Sequence, residues 1–495
     1  MMSKQDYYTI LGLRRNASPE EIRQAYFEAA RHLHPDKNIA PGETELFLGV
    51  QEAYEVLSNP KRRARYDESL PAEKPPQVLL EQKIYFSRQG LSRLNEPQII
   101  YIMLEFSVPT DVEKRPEPPL NLCLVLDRST SMQGSNMDIV KATAIRIMHK
   151  LKPQDMFSVV AFSDRAETVI PATHITDLGK QEARIQMLQP AGGTEIFSGL
   201  EKGYYEILHN INRSHVNHII LLTDGRTYGD ESNCIDLAKN AAERGIGISS
   251  LGIGTEWNDN FLDKLAALTG GTSMYVPRPQ DIQHALMDKF NQLGKAYAEE
   301  TRLEFTLSEG VELRYAFRLQ PEAGLLSFES PTMLGPIAWE GSLKIVTEFL
   351  IQPEALLQTA VTVLDGKLFV LLSDQSPPVD PIPICLVRPV LDGTNLDPPP
   401  IEIVDALSKL KFYRLQEQAR LEATAGDYEK AAEHLTRLAT HLLAQGERGL
   451  AKTVLMEAEN LQREKSFSQQ GGKEIKYGTR ALLKSGKIGR EEEKE

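Results

Sequence analysis

The chain has 495 residues, 41% of them hydrophobic and 25% charged, with a formal net charge of −13. That length holds several globular domains, each with its own core. The acidic balance argues against general affinity for nucleic acid, and no apolar run approaches the roughly 20 residues needed to span a bilayer. The start, Met1-Met2-Ser3-Lys4-Gln5-Asp6, leads into a polar segment without a signal-peptide core. Cys123, Cys234 and Cys385 lie far apart and have no metal-like spacing. A reducing, cytoplasmic setting fits this cysteine usage best.

Residues 1–70 read as helical. Asp6-Tyr7-Tyr8-Thr9-Ile10-Leu11-Gly12 is a short apolar helix ended by glycine. Ser18-Pro19-Glu20-Glu21 offers a cap, a proline at the first helical position and acids in the first turn. Ile22, Tyr26, Ala29, Ala30 and Leu33 follow at helical spacing. His34-Pro35-Asp36 ends that helix, because proline disfavours the helical region at the residue before it. A third helix carries Phe47, Val50, Ala53, Tyr54 and Leu57, and a short basic one begins at Asn59-Pro60.

Asp6-Tyr7-Tyr8, His34-Pro35-Asp36 and the ending Arg62-Arg63-x-x-Tyr66-Asp67 together resemble the J domain of DnaJ-type co-chaperones. The resemblance implies engagement of a DnaK-type heat-shock chaperone and stimulation of its ATP hydrolysis. It places His34, Pro35 and Asp36 at the partner's nucleotide-domain interface, with Arg23 and Arg31 on the basic face of the second helix. Gln24, Phe27 and Glu28 stand where that family commonly has basic residues. Such charges steer and orient association, so a weaker or more selective chaperone contact is expected.

Residues 71–119 combine Pro-rich polar linkers with two strands, at 78–86 and 98–108. The apolar run 120–126 (LNLCLVL) then reads as a strand buried on both faces. It ends in Asp127-Arg128-Ser129-Thr130-Ser131. Gly192-Gly193-Thr194 places a hydroxyl on a tight turn before a helix. Leu221-Leu222-Thr223-Asp224-Gly225 ends a second apolar strand with another carboxylate. All of these donors are hard oxygens, which suit magnesium, manganese or calcium rather than zinc. In open parallel sheets, ligand sites gather at the carboxyl ends of the strands.

Asp127, Ser129, Ser131, Thr194 and Asp224 match every position of the metal-ion-dependent adhesion site that the chain resembles, that of von Willebrand factor type A domains. The resemblance covers residues 120–294 and implies direct ligation by Ser129, Ser131 and, in one state, Thr194. Asp127 and Asp224 would act largely through water. It also implies a divalent cation, magnesium first, and capture of an exposed Asp or Glu on a protein client. Strands and helices alternate from 138 to 276, as in a doubly wound, Rossmann-like sheet with right-handed crossovers.

Beyond residue 295 helical periodicity fades. Strand-like runs at 302–307, 311–319, 343–351, 359–363 and 367–372 predict an antiparallel β-sandwich over 295–391. The two strands before Leu120 are expected to belong to it, which makes the metal domain an insertion. Residues 392–465 read as an α-helical region. Gly426-Asp427-Tyr428-x-x-Ala431 resembles one helix of a tetratricopeptide repeat, though a bundle packed on the sandwich fits equally. Residues 466–495 read as a partly disordered tail.

A multidomain chain of this kind suits an adaptor: the metal domain binds a client and the J domain delivers a chaperone to it. The alternatives are a scaffold whose metal only stabilises the fold, and a metal-dependent hydrolase. There is no Walker loop, nucleophile elbow or His-Glu-x-x-His. His149, His174 and His215 have no readable place beside the metal loop, so no catalytic residues are expected.

Overall fold

A computed structural model describes residues 7–11, 13, 17–33, 43–69, 80–112, 117–212, 214–227, 229–298, 300–372, 380–392 and 398–484. The chain divides into two compact units that part at residue 77.

The first unit is helical: α1 (Tyr7–Ile10), α2 (Pro19–Leu33), α3 (Glu43–Leu57) and α4 (Pro60–Ser69). Its core is Tyr8, Leu11, Ala17, Ile22, Val50, Ala53 and Leu57. The two tyrosines of α1 join the start of the domain to its end. The Tyr7 amide donates to the Tyr66 hydroxyl (2.9 Å), and the Tyr8 hydroxyl donates to Asp67 Oδ1 (2.7 Å). Arg63 Nε donates to Tyr8 Oη at 2.9 Å. The opening and closing sequence signatures are thus two halves of one packing contact.

The second unit begins with β1 (Glu81–Phe86), β2 (Leu91–Ser92) and β3 (Gln98–Ser107). An α/β domain follows. Its strands are β4 (Leu120–Asp127), β5 (Met156–Phe162), β6 (Ala166–Thr173), β7 (Val216–Thr223), β8 (Gly247–Ile253) and β9 (Ser273–Val276). Its helices are α5 (Ser135–Met148), α6 (Leu178–Gln186), α7 (Ile196–His209), α8 (Glu231–Glu243), α9 (Asp259–Leu268) and α10 (Pro279–Leu293). The sheet order is β6-β5-β4-β7-β8-β9, parallel except for β6. Every residue of β4, β5 and β7 is buried, because helices cover both faces of the sheet. Leu122, Leu124 and Leu126 face the α5 and α10 side, while Cys123 and Val125 face α7 and α8. Gly199 and Gly203 let α7 lie close on the sheet, since a Cβ at either would run into Phe162 or Val125.

After the inserted domain come β10 (Ala296–Ala298), β11 (Glu300–Thr306), β12 (Val311–Gln320), β13 (Gly324–Leu325), β14 (Thr332–Met333), β15 (Ile337–Ala338), β16 (Ser342–Ile351), β17 (Ala360–Leu371) and β18 (Ile382–Leu391). The two main sheets have the orders β1-β3-β16-β12-β13 and β14-β11-β17-β18-β2. β3 pairs antiparallel with β16 from Gln98 opposite Ile351 to Ser107 opposite Ser342. The α/β domain therefore sits between two paired strands of another sheet. Arg318 of β12 ties the domains together. Its buried guanidinium donates to the carbonyls of Gly270 (2.9 Å), Gly271 (2.7 Å), Leu334 (2.7 Å) and Glu322 (2.9 Å).

The chain ends in α11 (Ile401–Thr424), α12 (Tyr428–Ala444), α13 (Arg448–Glu464) and α14 (Gln469–Lys484). Ile403, Ala406, Leu410 and Tyr413 of α11 and Leu483 of α14 pack on Met103, Tyr315, Phe317 and Val346 of the first sheet. This is the bundle-on-sandwich arrangement.

Four expectations need correction. The runs at 359–363 and 367–372 are one strand, β17, which passes through Asp365-Gly366 because Gly366 lies against the neighbouring Glu304 carbonyl. β6 and β18 had no counterpart among the expected strands. The supposed tail from 466 is instead helix α14 up to Lys484, docked by ion pairs. Residues 485–495 lie outside the described residues.

Candidate metal centre

Asp127 closes β4 and is fully buried. The Ser129 amide donates to its Oδ1 (2.8 Å), and the Thr223 hydroxyl of β7 donates to its Oδ2 (2.6 Å). Ser129 Oγ and Ser131 Oγ are 3.0 Å apart, and Ser131 Oγ donates to Asp224 Oδ1 at 2.6 Å. Two serines and two carboxylates from adjacent parallel strands thus meet at one spot.

Thr194 is half-buried and arrives from a third direction. A Cβ on Gly225 would lie 2.7 Å from its Oγ1, so glycine is what lets the threonine close on the Asp224 turn. Among the described residues no hydrogen bond joins its hydroxyl to the serines or to Asp224. The threonine loop is stitched down nonetheless. The Ala191 amide donates to Arg128 O (2.7 Å), the Thr130 amide to Gly192 O (3.1 Å), and the Glu195 amide to Ser163 O (2.9 Å). Gly192 has φ +80°, and the Gly193 amide donates to Asp164 Oδ1 at 2.8 Å.

Burial pushes the Asp127 carboxyl up to about 6, against the hydrogen bonds from Ser129 and Thr223. Burial also raises Asp224, against hydrogen bonds from Ser131, Asn136 and Ser129. No lysine or arginine among the described residues forms an ion pair with either carboxylate. The donor set is therefore all oxygen, partly desolvated and short of positive charge, which is a fit for a hard divalent cation.

Thr223, Asn136 and Asp164 were missed by sequence reasoning. Thr223 precedes Asp224 directly, and that adjacency was its only signal. Thr227 and Asp230 form a further support. Asp230 Oδ2 accepts from the Phe197 amide (2.8 Å) and Thr227 Oγ1 from the Ile196 amide (3.2 Å), so the loop after Asp224 caps α7.

His149 closes α5, roughly 20 Å along that 14-residue helix from its start beside the loop. His174 binds the carbonyl of Asp155, at the opposite end of β5. His215 precedes β7, also at the far end. None of the three can serve as a base at Asp127.

In the J unit, Arg23 is exposed, with its guanidinium carbon 5.7 Å from the Phe27 ring. His34, Pro35 and Asp36, and the side chain of Arg31, lie outside the described residues.

Comparison with known proteins agrees with this anatomy. Residues 6–67 match the DnaJ domain, 121–288 the von Willebrand factor type A domain, and 401–485 the Sll0103-like, C-terminal alpha-helical domain. The chain is 33% identical over 196 residues to the uncharacterized protein sll0103 of Synechocystis sp., a match covering 39% of this chain and 46% of that one. It is 58% identical over 66 residues to the chaperone protein DnaJ of Carboxydothermus hydrogenoformans, covering 13% of this chain and 17% of that one. The chain thus spans under half the length of these curated relatives. Among solved structures, a von Willebrand factor type A protein from Catenulispora acidiphila aligns with TM-score 0.63 at 14% identity, over 83% of this chain and 98% of that one. The ArnB paralog VWA2 from Sulfolobus acidocaldarius aligns with TM-score 0.52 at 17% identity, over 82% and 99%. At those identities the likeness is one of fold. The chain carries a DnaJ domain and a von Willebrand factor type A domain in one polypeptide.

Proposed function

We propose that the protein is a co-chaperone-type adaptor. The von Willebrand factor type A domain holds a client through a divalent cation, and the J domain brings a DnaK-type chaperone to it. The supporting observation is the meeting of Ser129, Ser131, Asp127 and Asp224 at one buried, cation-poor spot, with Thr194 closing over Gly225. These five residues would hold the ion, magnesium first and manganese or calcium as substitutes. A bound cation supplies attraction for an Asp or Glu on the client, a contact strengthened where water is excluded. The protein's own part is positional. Asp127 fixes the Ser129 amide, Thr223 orients Asp127, and the Gly192 turn keeps Thr194 within reach.

At the other end, His34, Pro35 and Asp36 would act on the chaperone, with Arg23 and Arg31 orienting it. Tethering both partners raises the chaperone's local concentration at the client. The distant histidines favour binding over hydrolysis. Free Cys123, Cys234 and Cys385 suit a reducing, cytoplasmic compartment. No described helix is long and apolar enough to cross a membrane.

The test is a pull-down from the native lysate with magnesium or with chelator, using intact chain and Asp224→Ala. Client capture should need both the ion and Asp224. Capture that persists with chelator and in the variant would refute metal-dependent binding. Capture unchanged while chelator lowers only the melting temperature would favour the scaffold reading. Stimulation of the cognate chaperone's ATPase should vanish in His34→Gln, and its absence in the intact protein would remove the chaperone half.

A further inference from the structure

α8, α9, α11, α14 and the 325–329 segment enclose a cleft of about 1010 Å³, within the size class of small-molecule sites. It lies apart from the metal loop, although Arg226 on its rim is two residues beyond Asp224. Its wall carries Asp259 and Asp263, both neutralised within the fold. Lys476 Nζ lies 2.6 Å from Asp259 Oδ2 and 2.7 Å from Asp263 Oδ2. Arg420 pairs with Asp259 at 2.8 Å and Arg480 with Asp263 at 2.5 Å.

What remains is positive. Arg226, Lys264 and Lys473 also line the cleft, and among the described residues none of them pairs with a carboxylate. The other acids present are Glu329, at the mouth, and Glu417, whose carboxyl is raised by burial. The cleft thus reverses the sign of a chain whose net charge is −13. Lys473 is buried, with 4% of its surface exposed. Its ammonium donates to Thr255 O at 2.6 Å and stands 4.9 Å from the Trp257 ring centre, and burial pulls it down to about 8.

Two further features point to a ligand rather than to bulk water. Gln416 lines the cleft, is 2% exposed, and its Oε1 has no hydrogen-bond partner among the described residues. A buried acceptor left without a donor is destabilising, and an N–H or O–H from a bound molecule would remove that cost. At the mouth, Phe328 and Leu421 are 46% and 66% exposed and offer apolar faces.

We propose that this cleft binds a small organic phosphate of the nucleotide class. Lys473, Arg226 and Lys264 receive the phosphates, Gln416 Oε1 accepts from the base or ribose, and Phe328 and Leu421 cover the flat apolar part. Such a molecule combines the three properties that the walls complement: negative charge, a hydrogen-bond donor and an apolar face.

The experiment is isothermal titration of ADP, inorganic phosphate and adenosine into the full chain, in chelator so that no metal at Asp127 and Asp224 can hold the phosphates. ADP should bind one per chain, more tightly than either fragment. Lys473→Met should weaken ADP roughly tenfold, the worth of one charge-assisted hydrogen bond. Gln416→Leu should weaken ADP and adenosine but leave phosphate unchanged. Lys264→Glu, on the exposed side of α9, should weaken ADP several-fold without changing the melting temperature, which covers misfolding of the inner variants. No saturable ADP binding, phosphate binding as tightly as ADP, or ADP affinity equal in all three variants would overturn the proposal.

Discussion

Two pairs of buried aspartates carry opposite charge environments. Burial raises Asp127 and Asp224 at the carboxyl ends of β4 and β7, because hydroxyls and amides rather than cations face them, and the Asp224 charge raises Asp127 further. Burial alone would also raise Asp259 and Asp263 on α9. There Lys476, Arg420 and Arg480 outweigh it, hold the Asp259 carboxyl well below the usual range and lower that of Asp263. The same residue type has its counter-charge built in at one place and left out at the other. The complete site is a structural clasp between the α/β domain and the C-terminal helices. The other leaves two carboxylates without a counter-charge among the described residues, which is what the proposed cation would supply.

The largest expected effect lies in the clasp. Asp263→Asn would leave Arg480, 7% exposed in its side chain, and Lys476, 4% exposed, with one carboxylate fewer between them. Breaking a buried pair costs ~3–5 kcal/mol, measurable by urea denaturation. A loss no greater than that of an average surface substitution would break the comparison.

The metal loop should behave in the opposite way. In chelator, Asp127→Asn removes a desolvated charge that lacks a counter-ion, and stability should stay within about 1 kcal/mol of the parent. Magnesium at a hundredfold excess over its Kd should then stabilise the parent by about 2.7 kcal/mol. The variant should gain nothing. Thermal melts of both proteins, with and without the ion, check this.

Smaller effects sharpen the comparison. Gly192→Ala forces a Cβ into a left-handed turn that faces Asp164, and should cost ~1–2 kcal/mol. It should also weaken magnesium binding, because the turn carries Thr194. The acid limb of stability reports the clasp. Asp259 and Asp263 are depressed in the folded state, so their contribution is present above the unfolded value of about 3.9 and is lost as pH falls below it. The slope in that region should be shallower in Asp263→Asn. A parallel slope would show that Asp263 is not held ionised by its partners.

The two sites also differ in how far the sequence discloses them. The candidate metal loop is written locally: each proposed donor lies beside a glycine, a strand end or a second donor, and so Asp127, Ser129, Ser131, Thr194 and Asp224 stand out as candidates without coordinates. Thr223 and Asn136 did not, because their roles depend on a partner brought in by the fold. The clasp was not legible. α14 opens with Gly471 and Gly472 and exposes Lys473, Lys476 and Arg480 to a reader as a charged tail. Those side chains are buried only because Asp259, Asp263 and Trp257 wait on another domain, and Gly471 is needed where a Cβ would meet Glu457. Helix formation there rests on tertiary docking rather than local propensity. β6 and β18 escaped for a related reason: Pro171 in one, and Pro383 and Pro389 in the other, mark lateral strands that read as loops.

The most direct measurement is calorimetric titration of magnesium into the metal-free chain, alongside Ser131→Ala and Asp224→Ala. One saturable site is expected in the parent, weakened at least tenfold in each variant. Equal binding in all three proteins, or no saturable binding of magnesium, manganese or calcium by the parent, would contradict a cation at the meeting point of β4 and β7.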